Sequence, residues 1–212
     1  ATTISGMNGV VHHLSVSMHP FEIAFFRQVF GFLFMTMLFM RSGFQVLQTS
    51  RIWMHVLRAV LNVLALLAYF VALSLEPIAK VVALGFTAPL FATVLAVIIL
   101  RERMSSHRLV TLGIGIVGAL IILRPGFADI SFGMMMVLFS NANWGGALIV
   151  IKSLSRTESP VTITMYAAML MVPFAFAAAV FFWQWPTMEH LYWLIAIGIF
   201  GTFAQLCLAQ AF

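Results

Sequence analysis

Residues 53–75 read WMHVLRAVLNVLALLAYFVALSL, and after Glu76-Pro77 residues 78–100 read IAKVVALGFTAPLFATVLAVIIL. Each run is apolar almost throughout, with Arg58 as the one full charge in the first and Lys80 in the second. A helix crosses the hydrocarbon core of a bilayer with ~20 mostly apolar residues, so each run is long enough to span unaided. The same length and composition recur at Phe21 to Met40, Phe132 to Ile151, Val161 to Trp183 and Leu191 to Phe212. His107 to Arg124 is shorter, but its uninterrupted core, Leu109 to Leu123, reaches the ~17–25 range once the flanks are counted. Ala1 to Leu14 mixes Thr, Ser, Asn and His with apolar residues and amounts to half a span. The reading is an all-α membrane protein with about seven full spans and one partial span.

Composition agrees. Of 212 residues, 63% are hydrophobic and 8% charged, whereas soluble domains run near ~45–50% and ~25%. Cys207 is the single cysteine, which excludes a disulfide scaffold. Eleven Lys and Arg against six Asp and Glu invite a nucleic-acid partner, but their positions point to the bilayer instead. One set of short loops holds Arg41, Arg51, Arg101, Arg103, Arg108, Lys152 and Arg156. The alternate set holds only Arg124, with Lys80 just inside the next helix. Basic residues mark cytoplasmic loops, so the first set is placed inside.

A weak internal repeat is present. His19-Pro20 opens one helix after an outer loop, and Ser159-Pro160 opens another after an inner loop, roughly 140 residues later. Two copies entering the membrane from opposite sides are the construction of many secondary transporters, with the substrate site near the midplane.

An ordered series of stretches resembles the EamA type of the drug/metabolite transporter superfamily. The series is His19-Pro-Phe-Glu-Ile-Ala-Phe-Phe-Arg27, Leu57-Arg-Ala59, Ala68-Tyr-Phe-Val-Ala-Leu73, Thr87-Ala-Pro-Leu90, Arg101-Glu-Arg-Met104, Gly113 to Gly118 and Leu123-Arg-Pro-Gly126. Within the family the chain is similar to bacterial members assigned to S-adenosylmethionine or riboflavin uptake. Two positions depart from the pattern: Arg101 stands where a glycine is usual, and His12 or His13 where a lysine is common late in helix one. The resemblance implies ten helices as two inverted five-helix repeats around a central cavity. On that basis residues 1–124 form a first repeat with a truncated first helix. Residues 125–212 then form a second repeat without its last two helices, so the chain reads as a piece of a longer parent.

Several polar residues inside the spans are candidates for function, because each is costly against lipid. Asn62 and Tyr69 share a face with Arg58 at spacings of four and seven. They either contact substrate or hydrogen-bond a neighbouring helix, while Arg58 near the inner end reads as a possible interface anchor. Pro89 removes an N–H and leaves the carbonyl of Gly85 without its helical partner, so Gly85 and Pro89 form a candidate hinge. Thr87 lies beside them, on the same face as Lys80. Asn141 and Trp144, followed by Gly145-Gly146, are candidate lining in the second repeat, and Gln205 is open between packing and binding. Arg27, two turns inside its helix, is either a cavity cation for an anionic group or a structural charge. The structural alternative has it snorkelling outward or pairing with Glu22 or a backbone carbonyl.

Other motifs are set aside. Gly113-Ile-Gly-Ile-Val-Gly118 matches a dinucleotide fingerprint but lies within an apolar helix, where small residues for helix packing explain it. His12 and His13 point about 100° apart on a helix and do not make a metal site. The six acids are scattered singly, which argues against a polytopic membrane enzyme. The expectation is a multi-pass carrier of the bacterial inner membrane, moving a small organic metabolite by alternating access. It needs no catalytic residue, metal or cofactor, and its partners are a small-molecule substrate and the lipid bilayer. A membrane enzyme or a structural membrane subunit is the alternative.

Overall fold

The computed structural model describes residues 9–39, 49–101, 106–123 and 131–210. Nearly all of them are helical, and no strand occurs among them. The elements are α1 (residues 9–14), α2 (Pro20–Phe39), α3 (Ile52–Leu75), α4 (Ile78–Gly85) and α5 (Ala88–Leu100). They continue with α6 (Ser106–Leu123), α7 (Phe132–Leu154), α8 (Pro160–Ala179) and α9 (Met188–Gln210), a 3-10 turn at Val180–Phe182 extending α8.

Local sequence sets the helix starts. The Ser131 hydroxyl accepts the Met134 N–H at 3.2 Å, and the Ser159 hydroxyl accepts that of Thr162 at 3.1 Å. Each satisfies one N–H that a first turn leaves orphaned. Pro160 and Pro20 occupy first helical positions, where no N–H is needed. At α2 the Glu22 carboxylate reaches back to the His19 N–H at 3.3 Å, the reciprocal half of a capping box.

α3 is the central helix, packed along α7 on one side and α8 on the other. α2 lies between α8 and α9, α5 packs on α7, and α6 rests on α4 and α5. Close approaches are made by glycine. A Cβ on Gly145 would stand 2.8 Å from the Ala92 nitrogen, and one on Gly198 would stand 3.0 Å from the Arg27 carbonyl oxygen. The α5–α7 and α2–α9 contacts are therefore backbone to backbone, as small residues permit in membrane helices. In the glycine motif of α6, by contrast, only Gly115 packs, against Leu90. Gly113 and Gly118 face open space, so helix packing explains one glycine of that motif rather than three.

Among the described residues, five helical segments are long and apolar enough to cross a membrane: Ile52–Leu75, Ile78–Ile99, Phe132–Leu154, Pro160–Phe182 and Met188–Cys207. α2 has 20 residues but carries Glu22, Arg27 and Gln28 in its first half, which lowers its apolarity. In α6 the apolar stretch is the shorter Leu109–Ile121. The helix expected over residues 78–100 is not continuous; it breaks at Phe86-Thr87 into α4 and α5.

Chain direction alternates, and the described parts of the two sets of loops sort to opposite ends. At one end the Ser17 hydroxyl meets His190 Nε2 at 3.1 Å, the Gln184 N–H donates to Glu22, and the Ser131 hydroxyl donates to Glu76. His12 Nδ1 lies 2.6 Å from the Leu73 carbonyl there, and a core of Leu14, Ile23, Phe70, Leu73, Leu84 and Val137 is buried beneath. At the other end Arg51 donates to the Ser153 carbonyl at 3.1 Å and its hydroxyl at 3.2 Å. The Thr49 hydroxyl donates to Glu158 there, and His55 Nε2 lies 2.6 Å from the second Glu158 oxygen. Arg51, Lys152 and Arg156 thus gather at one end, away from Glu22 and Glu76. Arg41, Arg103, Arg108 and Arg124 are outside the residues whose side chains are described.

Candidate functional site

Three polar constellations lie inside the bundle. The first is the break in the span formed by α4 and α5. Pro89, the second residue of α5, cannot donate, so the helix stops at Gly85 and restarts at Ala88. Thr87 bridges the gap: its N–H and hydroxyl both bond the Leu84 carbonyl, at 2.9 and 2.8 Å. From α7, the buried amide of Asn141 donates to Thr87 Oγ1 at 2.7 Å and to the Leu84 carbonyl at 2.9 Å. The proline was expected to free the Gly85 carbonyl. The carbonyl that Asn141 engages belongs to the residue before it. A break inside a membrane span persists where another helix supplies such partners.

The second constellation runs along α3 toward α8. His55, Arg58 and Asn62, at spacings of three and four, are all buried. The His55 ring stacks on Tyr166 with centroids 4.5 Å apart. Arg58 is 1% exposed and donates to the Ile163 carbonyl. The interface-anchor reading of Arg58 is therefore overturned, because the side chain turns into the protein instead of reaching for headgroups. Asn62 is 2% exposed, and neither atom of its amide has a hydrogen-bond partner.

The third lies between α2 and α9. Arg27 is buried, with Nη1 2.6 Å from Gln28 Oε1, and a Cβ on Gly201 would collide with its guanidinium at 2.5 Å. It neither snorkels nor pairs with Glu22, whose oxygens serve the backbone N–H groups of His19 and Gln184. Gly201 leaves room for the guanidinium. Gln28 in turn donates to Met171 Sδ at 3.1 Å, tying α2 to α8.

Of the residues singled out in the sequence, the structure brings Thr87 and Asn141 into direct contact. Tyr69 is half-buried against the core at the α1 end. Trp144 and Gln205 are half-buried, on α7 and α9. A groove of about 590 Å³ opens between α3, α5 and α7, lined by Leu57, Leu61, Leu95, Phe139 and Gly146 among others. None of Asn62, Tyr69, Thr87, Asn141, Trp144 and Gln205 lines it. Sequence reading missed the His55–Glu158 pair, since Glu158 counted as one more isolated acid. The available signal was His55 itself, three residues before Arg58 on the same helical face.

At the α1 end, outside the spanning segments, two groups are perturbed. Burial lowers the His19 imidazole below its ordinary range, against the opposing pull of Glu22, and the ring stacks on Phe182 at 3.8 Å. Hydrogen bonds from Lys80 and then Ser131 hold the Glu76 carboxyl below the usual carboxylate range. No group of three or more His, Cys, Asp or Glu able to hold a metal occurs among the described residues.

The model of the EamA-like transporter family matches residues 1–124. The chain is 29% identical to an S-adenosylmethionine uptake transporter of Rickettsia bellii, over 94% of this chain and 69% of that protein. It is 32% identical to a riboflavin transporter of Brucella anthropi, over 86% of this chain and 66% of the other. It is 28% identical to a pseudopaline exporter of Pseudomonas aeruginosa, over 99% and 74%. No solved structure gives a significant match. With its apolar helices, its alternating chain direction and a family match over more than half its length, the chain is a multi-pass membrane protein that belongs to the EamA-like transporter family.

Proposed function

We propose that this protein is a secondary carrier of the bacterial inner membrane that moves a small organic metabolite by alternating access. The broken span carries the reading. A helix interrupted at Phe86-Thr87 and held by a side chain of another helix can bend at lower cost than a regular one, since Pro89 donates no backbone bond there. In carriers, discontinuous helices of this kind form the substrate site. The S-adenosylmethionine, riboflavin and pseudopaline named for its relatives set the size and polarity expected of the cargo.

The two-repeat organisation belongs to the same proposal, with residues 1–124 and 125–212 as the halves. It is supported by the starts of α2 and α8, each a capped helix with a first-position proline, at opposite ends of the bundle. Seven full spans follow if α2 and α6 cross as well. The end holding Arg51, Lys152 and Arg156 is then cytoplasmic. Asn62, Tyr69, Thr87, Asn141, Trp144 and Gln205 are the proposed lining, with Gly85 and Pro89 as hinge and Arg27 as structural charge.

The test is uptake into proteoliposomes across a panel that includes S-adenosylmethionine and riboflavin. Saturable uptake that drops for Pro89→Ala or Asn141→Ala is the expected result. Uptake indistinguishable from empty liposomes for the whole panel rejects the carrier reading.

A further inference from the structure

Arg58 is a buried cation without an anion. Among the described residues no carboxylate lies within 4.0 Å of it; Glu158 pairs with His55 and Glu76 with Lys80. The nearby acid at that end, Glu158, is fully engaged, one oxygen by Thr49 and the other by His55. The guanidinium rests on the Ile163 carbonyl, a neutral acceptor, and its Nε–H has no partner. One turn further along the same face, both atoms of the Asn62 amide are unpartnered. Burying a charge is costly unless it is paired, and a buried amide without hydrogen bonds adds to that cost. A buried guanidinium with an unpartnered Nε–H and a neutral carbonyl as its acceptor, beside a free amide, is a donor set that can receive a carboxylate.

The geometry points to Arg58 and Asn62 as the binding site for the carboxylate of an anionic substrate, between α3 and α8. This rests on the carrier reading and narrows it to organic acids and amino-acid-like metabolites. In the structure the site is closed, because α8 packs on α3: Ala59 and Val63, beside these residues, touch Met171. Substrate entry therefore requires α8 to part from α3. The Ile163 carbonyl holds the guanidinium until an anion replaces it. Arg58 receives the carboxylate as a fork of donors, and Asn62 can donate to the same group or accept from a neighbouring amine.

Two matched probe pairs test this on the 212-residue chain in nanodiscs, by thermal unfolding at constant ionic strength. Propionate is compared with propionamide, and S-adenosylmethionine with its decarboxylated form, which lacks only the carboxylate. The carboxylate member of a pair is expected to raise the unfolding midpoint by about 2–4 °C over its partner, a ligand effect on the native state. Arg58→Gln should abolish the difference, and Arg58→Lys should keep part of it, which guards against a Gln variant that fails to fold. Equal midpoints within both pairs for the native chain overturn the site, as does a difference that survives in Arg58→Gln. Saturable uptake of neutral metabolites that Arg58→Gln leaves unchanged would remove the anion site while leaving the carrier reading intact.

Discussion

The amide of Asn141 on α7 donates to the hydroxyl of Thr87 at 2.7 Å, inside the interruption between α4 and α5. Thr87 passes its own hydrogen to the Leu84 carbonyl, which Asn141 also reaches. Asn141 and Thr87 thus satisfy the Leu84 carbonyl at the break, and they couple the position of α7 to the bend.

Asn141→Ala removes both bonds from α7 and leaves Thr87 alone to serve Leu84. The expected loss is about 1–2 kcal/mol of stability. Amide hydrogen exchange at Thr87, Leu90 and Phe91 should quicken more than exchange in α3. Unchanged protection there would show that the bend holds without α7.

Gly145→Ala places a methyl 2.8 Å from the Ala92 nitrogen and 3.0 Å from Phe91 Cβ, and backbone cannot step aside as a flexible side chain can. A destabilisation of about 1–3 kcal/mol is expected from forcing α5 off α7. Gly113→Ala, with nothing within 4 Å, should instead be neutral or stabilising by up to about 1 kcal/mol. Unfolding midpoints of the two variants in one detergent give the comparison.

Glu76 ties the α3–α4 corner to the start of α7 through Ser131, with Lys80 at 2.8 Å on its other oxygen. Its carboxyl is held below the ordinary glutamate value of 4.5, chiefly by the hydrogen bond from Lys80. A lowered carboxyl contributes its full stability above that ordinary value and loses it as pH falls through the lower folded value. Lys80 is partly exposed, so the contribution is below about 1 kcal/mol. Glu76→Gln should flatten the acid limb of the pH–stability profile below about pH 4.5 and leave the neutral region otherwise parallel.

Arg101 closes α5 with φ 53°, the one non-glycine residue in the left-handed region among those described. That conformation costs an ordinary L-residue about 1–2 kcal/mol, and glycine adopts it freely. Glycine is also what the family resemblance places at this position. Arg101→Gly should therefore stabilise the folded protein by about 1 kcal/mol, read as a rise in unfolding midpoint. A fall would mean that the exposed guanidinium contributes more than the backbone strain costs.

Orientation is testable by cysteine labelling from outside intact cells, in a Cys207→Ser background. Met188→Cys, at the end holding Glu22 and Gln184, should react with an impermeant maleimide. Thr157→Cys, beside Arg51, should stay unlabelled until the membrane is opened. The reverse pattern places the basic end outside.

Much of the fold was legible because its determinants are local. Span length, the prolines that open α2 and α8 and the one that marks a hinge in residues 78–100 act within a few residues of themselves. The basic end was legible too, since Arg51, Lys152 and Arg156 lie in loops that alternation puts together. The interior was not. Asn62 read as one of a polar stripe, yet nothing in the order of residues reveals that its amide meets no partner. Arg58 allowed an anchor reading because its distance from the helix end permits snorkelling, and only the position of α8 decides against it.

The sequence by itself determined that the chain is helical, membrane-embedded and alternating in direction, with a candidate hinge at Gly85 and Pro89, because apolar length, charge placement and a missing N–H are properties of short stretches. Tertiary structure alone decided which polar groups are satisfied. Asn141 finds Thr87, and Glu158 finds His55 across 103 residues, while Arg58 finds only a carbonyl. Those outcomes depend on which helix faces which. In a bilayer apolar faces are nearly interchangeable, and it is close glycine contacts and the few buried polar atoms that fix the partners.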